Sequence, residues 1–294
     1  MSLHNSRTSK LRSINLTNLT KSLSLLEINS VILFRLMFEY PDLFSPVALS
    51  ILGFDIRWYS LSYIFGFLYF YWFSKKNLKL FELNSKTFED LFFYNFLGII
   101  IGGRLGYIFF YNINYYFSNP LSIIKIWEGG MSFHGAFIGC LLSVIYFINK
   151  HKISLFKITD LICLTAPVGI GLGRIANFLN KELLGRETNF MISVRYPNED
   201  FYRHISQIYE SLLEGILPFI VLNIIYFFFR VKTGLVTGLF LINYALVRVM
   251  IEFIREPDIH IGFIFTYFTV AQILSMPILI LGLVITFQCL YSKK

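Results

Sequence analysis

Apolar residues in this 294-residue chain gather into stretches near the ~20 residues that a bilayer-crossing helix needs, and no water-soluble fold accommodates so many of them. The pattern predicts seven membrane helices, over roughly 53–74, 91–113, 129–149, 159–177, 211–229, 234–254 and 262–288. Only 15% of the residues are charged, against about 25% in soluble domains, so the surface chemistry for water is missing. The expected fold is an all-α polytopic integral membrane protein.

Basic residues fall unevenly between the apolar stretches. Lys75, Lys76, Lys79 and Lys86 occupy one connection; Lys150, Lys152 and Lys157 another; Arg230 and Lys232 a tight turn; Lys293 and Lys294 the end of the chain. Connections of the opposite set are poor in them. By the positive-inside rule the basic set is cytoplasmic. The N-terminus of the first helix, a polar segment at about 178–210 and the 255–261 loop then lie outside, and the C-terminus is cytoplasmic. The net charge of +8 is thus a topology signal, and no nucleic-acid partner is expected. Residues 1–36 do not fit the scheme, since Arg7, Lys10, Arg12, Lys21 and Arg35 face a single acid, Glu27. Three readings stay open: a non-structural tail, an upstream artefact with the start at Met37, or an organelle-targeting segment. The functional unit is expected at 37–294. Cys140, Cys163 and Cys289 lie in apolar stretches without paired spacing and are read as packing residues.

Function is sought where polar groups interrupt apolar helices, because an ionised group there costs about 2.5–3.5 kcal/mol and needs an interior partner. Arg104 sits among Gly102, Gly103 and Gly106, which permit close helix approach; it either faces the interior or snorkels. Gly129 and Gly130 break the chain before a helix and bring His134 to its outer end, where an imidazole can take up and release a proton or simply support structure. Glycines 169, 171 and 173 loosen a helix before Arg174 and Asn177, which share a face; a guanidinium fork beside an amide suits a phosphate, and a structural kink is the alternative. Tyr244, Arg248 and Glu252 share another face, as a site or as a structural ion pair. His204, Gln207, Tyr209 and Glu210 lie where the long polar segment re-enters the apolar region. From the residues alone, an enzyme acting on a phosphate-headed amphiphile, a transporter and a scaffold all remain open. No ligand spacing calls for a metal or cofactor.

The runs GGRLGYIFFYN (102–112), WEGGMSFHGAFIG (127–139), GLGRIANFLNKELLGR (171–186), SQIYESLLEG (206–215) and RVMIEFIREPD (248–258), with FSPVALSILGFDIRWYSLSY (44–63), together resemble the prolipoprotein diacylglyceryl transferases. The resemblance implies a multi-pass enzyme of the bacterial plasma (inner) membrane, acting as a monomer. Its partners would be the lipid bilayer, phosphatidylglycerol and prolipoprotein signal peptides with a lipobox cysteine. It would transfer the diacylglyceryl group to that thiol and release glycerol phosphate. The family's important positions match Tyr59, His134, Arg174, Asn177, Glu182, Gly185, His204, Glu210, Arg248 and Glu252. His134, Arg174 and Arg248 are expected to be catalytic; Arg104 joins the others in binding substrate. Four positions depart from the pattern, Leu164, Ala176, Ile205 and Ile208, and none removes a polar group.

Overall fold

A computed structural model of the chain describes residues 36–41, 44–51, 54–125, 129–229, 231–257, 263–264 and 268–291. The N-terminal segment expected to stand apart, up to residue 35, lies outside them. Helices dominate the order: α1 (Trp58–Asn77), α2 (Ser85–Tyr111), the short α3 (Ile113–Ser118), α4 (Phe133–His151), α5 (Leu155–Leu179), α6 (Ser206–Phe228), α7 (Leu235–Ile251) and α8 (Val270–Tyr291). A π-helical turn, Ser211–Ile216, interrupts α6.

Four of these helices, not seven, are both long and apolar enough to cross a bilayer among the described residues: α2, α5, α6 and α8. The seven-span expectation fails for identifiable reasons. The α1 helix has the length, but nine of its 20 residues are Tyr, Trp or Ser and its last turn carries Lys75 and Lys76, where Leu, Ile or Val would be needed. Polar residues close both ends of α4, His134 at one and Asn149, Lys150 and His151 at the other. With 17 residues, α7 spans only about 26 Å against the ~30 Å hydrocarbon core.

Burial is inverted relative to a soluble protein. Leu68, Phe109, Ile280 and Phe287 are exposed, whereas Gln207, Glu210 and Glu214 are fully enclosed. Such a surface suits lipid, and such an interior needs internal partners for its polar groups.

Helices meet along seams of small residues. On α2, Gly98, Gly102 and Gly106 lie against Gly135 and Gly139 of α4; a Cβ on Gly106 would come within 2.7 Å of the Gly135 Cα, and one on Gly139 would overlap the Gly98 carbonyl oxygen. Gly171 of α5 meets Gly215 in the π turn, and Gly238 of α7 meets Gly282 of α8. Where lipid removes the hydrophobic drive between helices, this close approach supplies the van der Waals contact that holds them.

Two apolar cores flank the bundle's midsection. One packs Phe73, Phe81, Phe88, Leu91, Phe147, Leu161 and Leu164 at the end where α5 and α7 begin. There the buried Asp160 accepts from the backbone N–H groups of Gly234 (2.6 Å) and Thr237 (2.8 Å). It thereby caps α7, whose own N-cap is a glycine at φ +98° with no side chain to offer. The other core, Tyr40, Phe178, Val194, Tyr196 and Ile205, lies under a small sheet at the opposite end. Strand β1 (Leu36–Glu39) runs parallel to β4 (Ile192–Arg195), which pairs antiparallel with β5 (Arg203–His204). The hairpin β2–β3 (Val47–Ile51, Phe54–Arg57) precedes α1, and the pair β6–β7 (Phe263–Ile264, Phe268–Thr269) precedes α8. Tyr40 donates its hydroxyl to the Leu179 carbonyl at 2.9 Å, closing the end of α5.

The seams predict sharply different responses to adding carbon. Gly139→Val forces backbone apart and should destabilise the protein by about 3 kcal/mol or more. Gly173→Ala, with no atom within 4 Å of its Cβ position, should leave the melting temperature in detergent nearly unchanged. Thermal unfolding of the two variants beside the parent checks both.

Candidate active site

Three helices deliver charge to one buried point. Near the end of α5, Arg174 sends Nε (2.9 Å) and Nη2 (2.8 Å) to Oε2 of Glu214, and Nη1 lies 3.3 Å from Oε2 of Glu210. From α7, Arg248 donates Nη1 to Oε1 of Glu210 at 3.0 Å. Its Nη2 lies 3.1 Å from Oε2 of Glu252, one turn further on. Arg255 closes the set with Nη1 3.7 Å from Oε1 of Glu210. Tyr244 stands one turn before Arg248, within electrostatic reach of Arg174, Arg248, Glu210 and Glu214.

The local sequence explains the convergence. Ser211 and Gly215 lie on the α5 side of the π turn; Ser211 Oγ donates to the Gly171 carbonyl at 3.0 Å, and the two glycines let the backbones touch. Glu210 and Glu214, four residues apart, then both face Arg174. The glycines before Arg174 do not loosen α5, contrary to expectation: the helix is continuous from Leu155 to Leu179. Gly169 and Gly171 provide close packing instead, and Gly173 has no atom within 4 Å of its Cβ position.

A second polar group adjoins the first. Asn177 donates Nδ2 to the Tyr59 hydroxyl and, at 3.2 Å, to Oε2 of Glu182. Tyr59 is also within electrostatic reach of Arg174. Gln207 holds the Glu182 carbonyl at 2.6 Å, so the turn after α5 is pinned to the start of α6. Gly185 bridges to Arg255 and packs against the His204 backbone, where a Cβ would overlap the carbonyl oxygen. Arg186 fixes the same corner by donating to the carbonyls of Arg255 (2.9 Å) and Glu252 (3.2 Å). Burial holds the His204 imidazole below its ordinary pKa, which keeps it neutral near pH 7.

Of the residues singled out in the sequence, the structure brings together Tyr59, Arg174, Asn177, Glu182, Gly185, His204, Glu210, Arg248 and Glu252. Arg104 stands elsewhere. It is buried beneath the loop leading into α4, where it donates to the carbonyls of Ser122 (2.5 Å), Ile123 (2.9 Å), Lys125 (3.1 Å), Gly129 and Gly130 (3.1 Å). His134 lies exposed in the first turn of α4, after Gly129 and Gly130 at φ +89° and +78°; the ion pairs above are made without it. Two acids escaped the sequence reading, Glu214 and Asp160. Each is an ionisable group inside an expected span, which is the signal that would have found it.

A bundle with lipid-facing sides and a balanced, enclosed set of arginines and glutamates defines an integral membrane protein with a polar reaction or binding centre. A sequence model of the prolipoprotein diacylglyceryl transferases matches residues 46–288. The phosphatidylglycerol–prolipoprotein diacylglyceryl transferase of Rickettsia typhi is 48% identical over 245 residues, covering 81% of this chain and 94% of that protein. Those of Ehrlichia ruminantium (strain Welgevonden) and Wigglesworthia glossinidia brevipalpis are 45% and 42% identical, each covering 82% of this chain and 95% of the relative. The chain belongs to the prolipoprotein diacylglyceryl transferase family.

Glu210 is the carboxylate shared by all three arginines. Replacing it with Gln removes a buried counter-charge and should cost about 3–5 kcal/mol, read as a fall in detergent-phase thermal stability. A surface pair such as Lys75–Glu89 should show about 1 kcal/mol or less when broken.

Proposed function

We propose that the chain, a polytopic protein of the bacterial inner membrane, transfers the diacylglyceryl group of phosphatidylglycerol to the thiol of a prolipoprotein's lipobox cysteine. The products are a thioether-linked lipid and glycerol phosphate, and the chain works as a monomer. The observation that carries the chemistry is the meeting of Arg174 and Arg248, from two helices, on one buried carboxylate. Two guanidinium forks enclosed at one point suit a phosphodiester whose charge grows as it leaves.

In this reaction the substrate thiol, with an ordinary pKa near 8.5, must lose its proton before attack, since the thiolate is the nucleophile. His134 is the group assigned to accept that proton, directly or through a relay. The sulfur attacks the glycerol carbon bearing the phosphate ester; the carbon–oxygen bond breaks and its electrons go to the leaving phosphate. Arg174 and Arg248 stabilise that charge. Asn177 and Tyr59 orient the headgroup, while Glu182, Glu210 and Glu252 hold the arginines and amides in place. Gly185 and His204 shape the corner above Arg255. Arg104 acts on substrate by holding the loop before His134.

Mass spectrometry of a lipobox peptide incubated with the purified full chain and phosphatidylglycerol should show a diacylglyceryl gain on cysteine. An unmodified peptide beside intact lipid would overturn the assignment. In the same assay His134→Gln should lower kcat by about 10²–10⁴-fold, and undiminished turnover would remove it from the base role. Arg174→Lys keeps the charge and loses the fork, and should lower kcat by about 10²-fold.

A further inference from the structure

Glu214 presents its two oxygens to very different surroundings. Oε2 receives two nitrogens of Arg174. Oε1 is closed to solvent and accepts no hydrogen bond, although the side chain is wholly enclosed. By contrast, Glu182 has donors on both oxygens, from Asn177 and Asn180. A carboxylate is an acceptor only, and a buried acceptor without a donor is a standing penalty in a low-dielectric interior. The nearby arginines do not relieve it, being turned to Oε2, to Glu210 and to Glu252.

The position of that oxygen is informative. It belongs to the π turn, the part of α6 whose irregular geometry brings a second acid onto Arg174, and such turns recur at functional sites. Any phosphate taken up by Arg174 lies one guanidinium away from Glu214, within reach of a three-carbon alcohol esterified to it. The Arg174 side chain is itself partly accessible, which leaves a way in for the phosphate. What Oε1 lacks is a hydrogen-bond donor, and a glycerol headgroup carries two.

We infer that Glu214 selects the lipid headgroup: Oε2 aims Arg174 at the phosphate, and Oε1 accepts a hydrogen bond from a headgroup glycerol hydroxyl. This rests on phosphatidylglycerol being the donor lipid. A headgroup without hydroxyls leaves the buried oxygen unpaired in the complex, which is how polar sites reject an analogue that lacks the matching group.

The test compares phosphatidylglycerol with phosphatidyl-1-propanol, which keeps the phosphodiester, its charge and three carbons but has no headgroup hydroxyl. The ratio of kcat/KM for the two lipids is measured within each preparation, so a loss of folded enzyme cancels. The parent should prefer phosphatidylglycerol by about 100-fold or more. Glu214→Met and Glu214→Gln should narrow that ratio at least tenfold, whatever their absolute rates, whereas Glu182→Gln should keep the parental ratio while losing rate on both lipids. A parental ratio near one, or a ratio unchanged in both Glu214 variants, would overturn the inference and leave the transferase assignment standing. No transfer from phosphatidylglycerol by the parent would remove the assignment and this inference together.

Discussion

The centre is organised by charges that oppose one another around the enclosed Glu210 carboxylate. It is fully buried, and Arg174, Arg248 and Arg255 all direct a guanidinium nitrogen toward it. A single such charge in the interior is prohibitive, and a single pair roughly breaks even against an apolar substitute. Alternating three acids with three bases gives Glu210, Arg174 and Arg248 more than one opposite neighbour each. The arrangement then depends on three helices holding their separations closely, because the attraction between charges falls off with distance.

Glycine seams and polar pins provide that precision by different means. The contact of Gly171 with Gly215 brings the backbones of α5 and α6 together at the level of Glu210 and Glu214. At the far end Asp160 fixes where α7 begins, and a helix fixed at its start places Arg248 about three and a half turns later. At the near end Arg186, Gln207 and Tyr40 tie loops to helix ends through backbone carbonyls. The apolar surface contributes solvation in lipid, but it says nothing about register. The polar contacts within the bundle set the register.

Composition and periodicity were enough to read a polytopic helical protein, and the interruptions of apolar runs led to Arg174, Arg248 and Glu252. The number of spans was not legible in the same way. Hydrophobic stretches in α1, α4 and α7 look alike at low resolution; tyrosines and serines, polar ends and a short length separate them from helices long and apolar enough to cross only when helix limits are known. Arg104 shows a second limit. Its surrounding glycines announced an interior arginine, and it is interior, yet its partners are backbone carbonyls supplied by a loop whose path no side-chain pattern encodes. Glu214 was hidden by its position at the start of an apolar run, and the π turn that aims it depends on packing against α5.

The charge balance of the network constrains how an anionic headgroup can enter. The three arginines and three glutamates cancel when all are ionised, so a phosphodiester arrives as a seventh charge with no unopposed cation to receive it. It must take donors from a carboxylate already in place, and the separations rank which contacts yield first. The 2.8 and 2.9 Å contacts to Glu214 and the 3.0 Å contact of Arg248 to Glu210 are well-formed charge-assisted bonds. Arg174 Nη1, at 3.3 Å from Glu210, is looser, so in the proposed reaction it has least to lose on turning to phosphate. That turn leads away from Glu210, whereas the two closer contacts would keep Arg174 on Glu214. An arginine held by one acid and released by another can change partners without changing place, and in the proposed reaction it would meet a leaving phosphate without having to be ordered first.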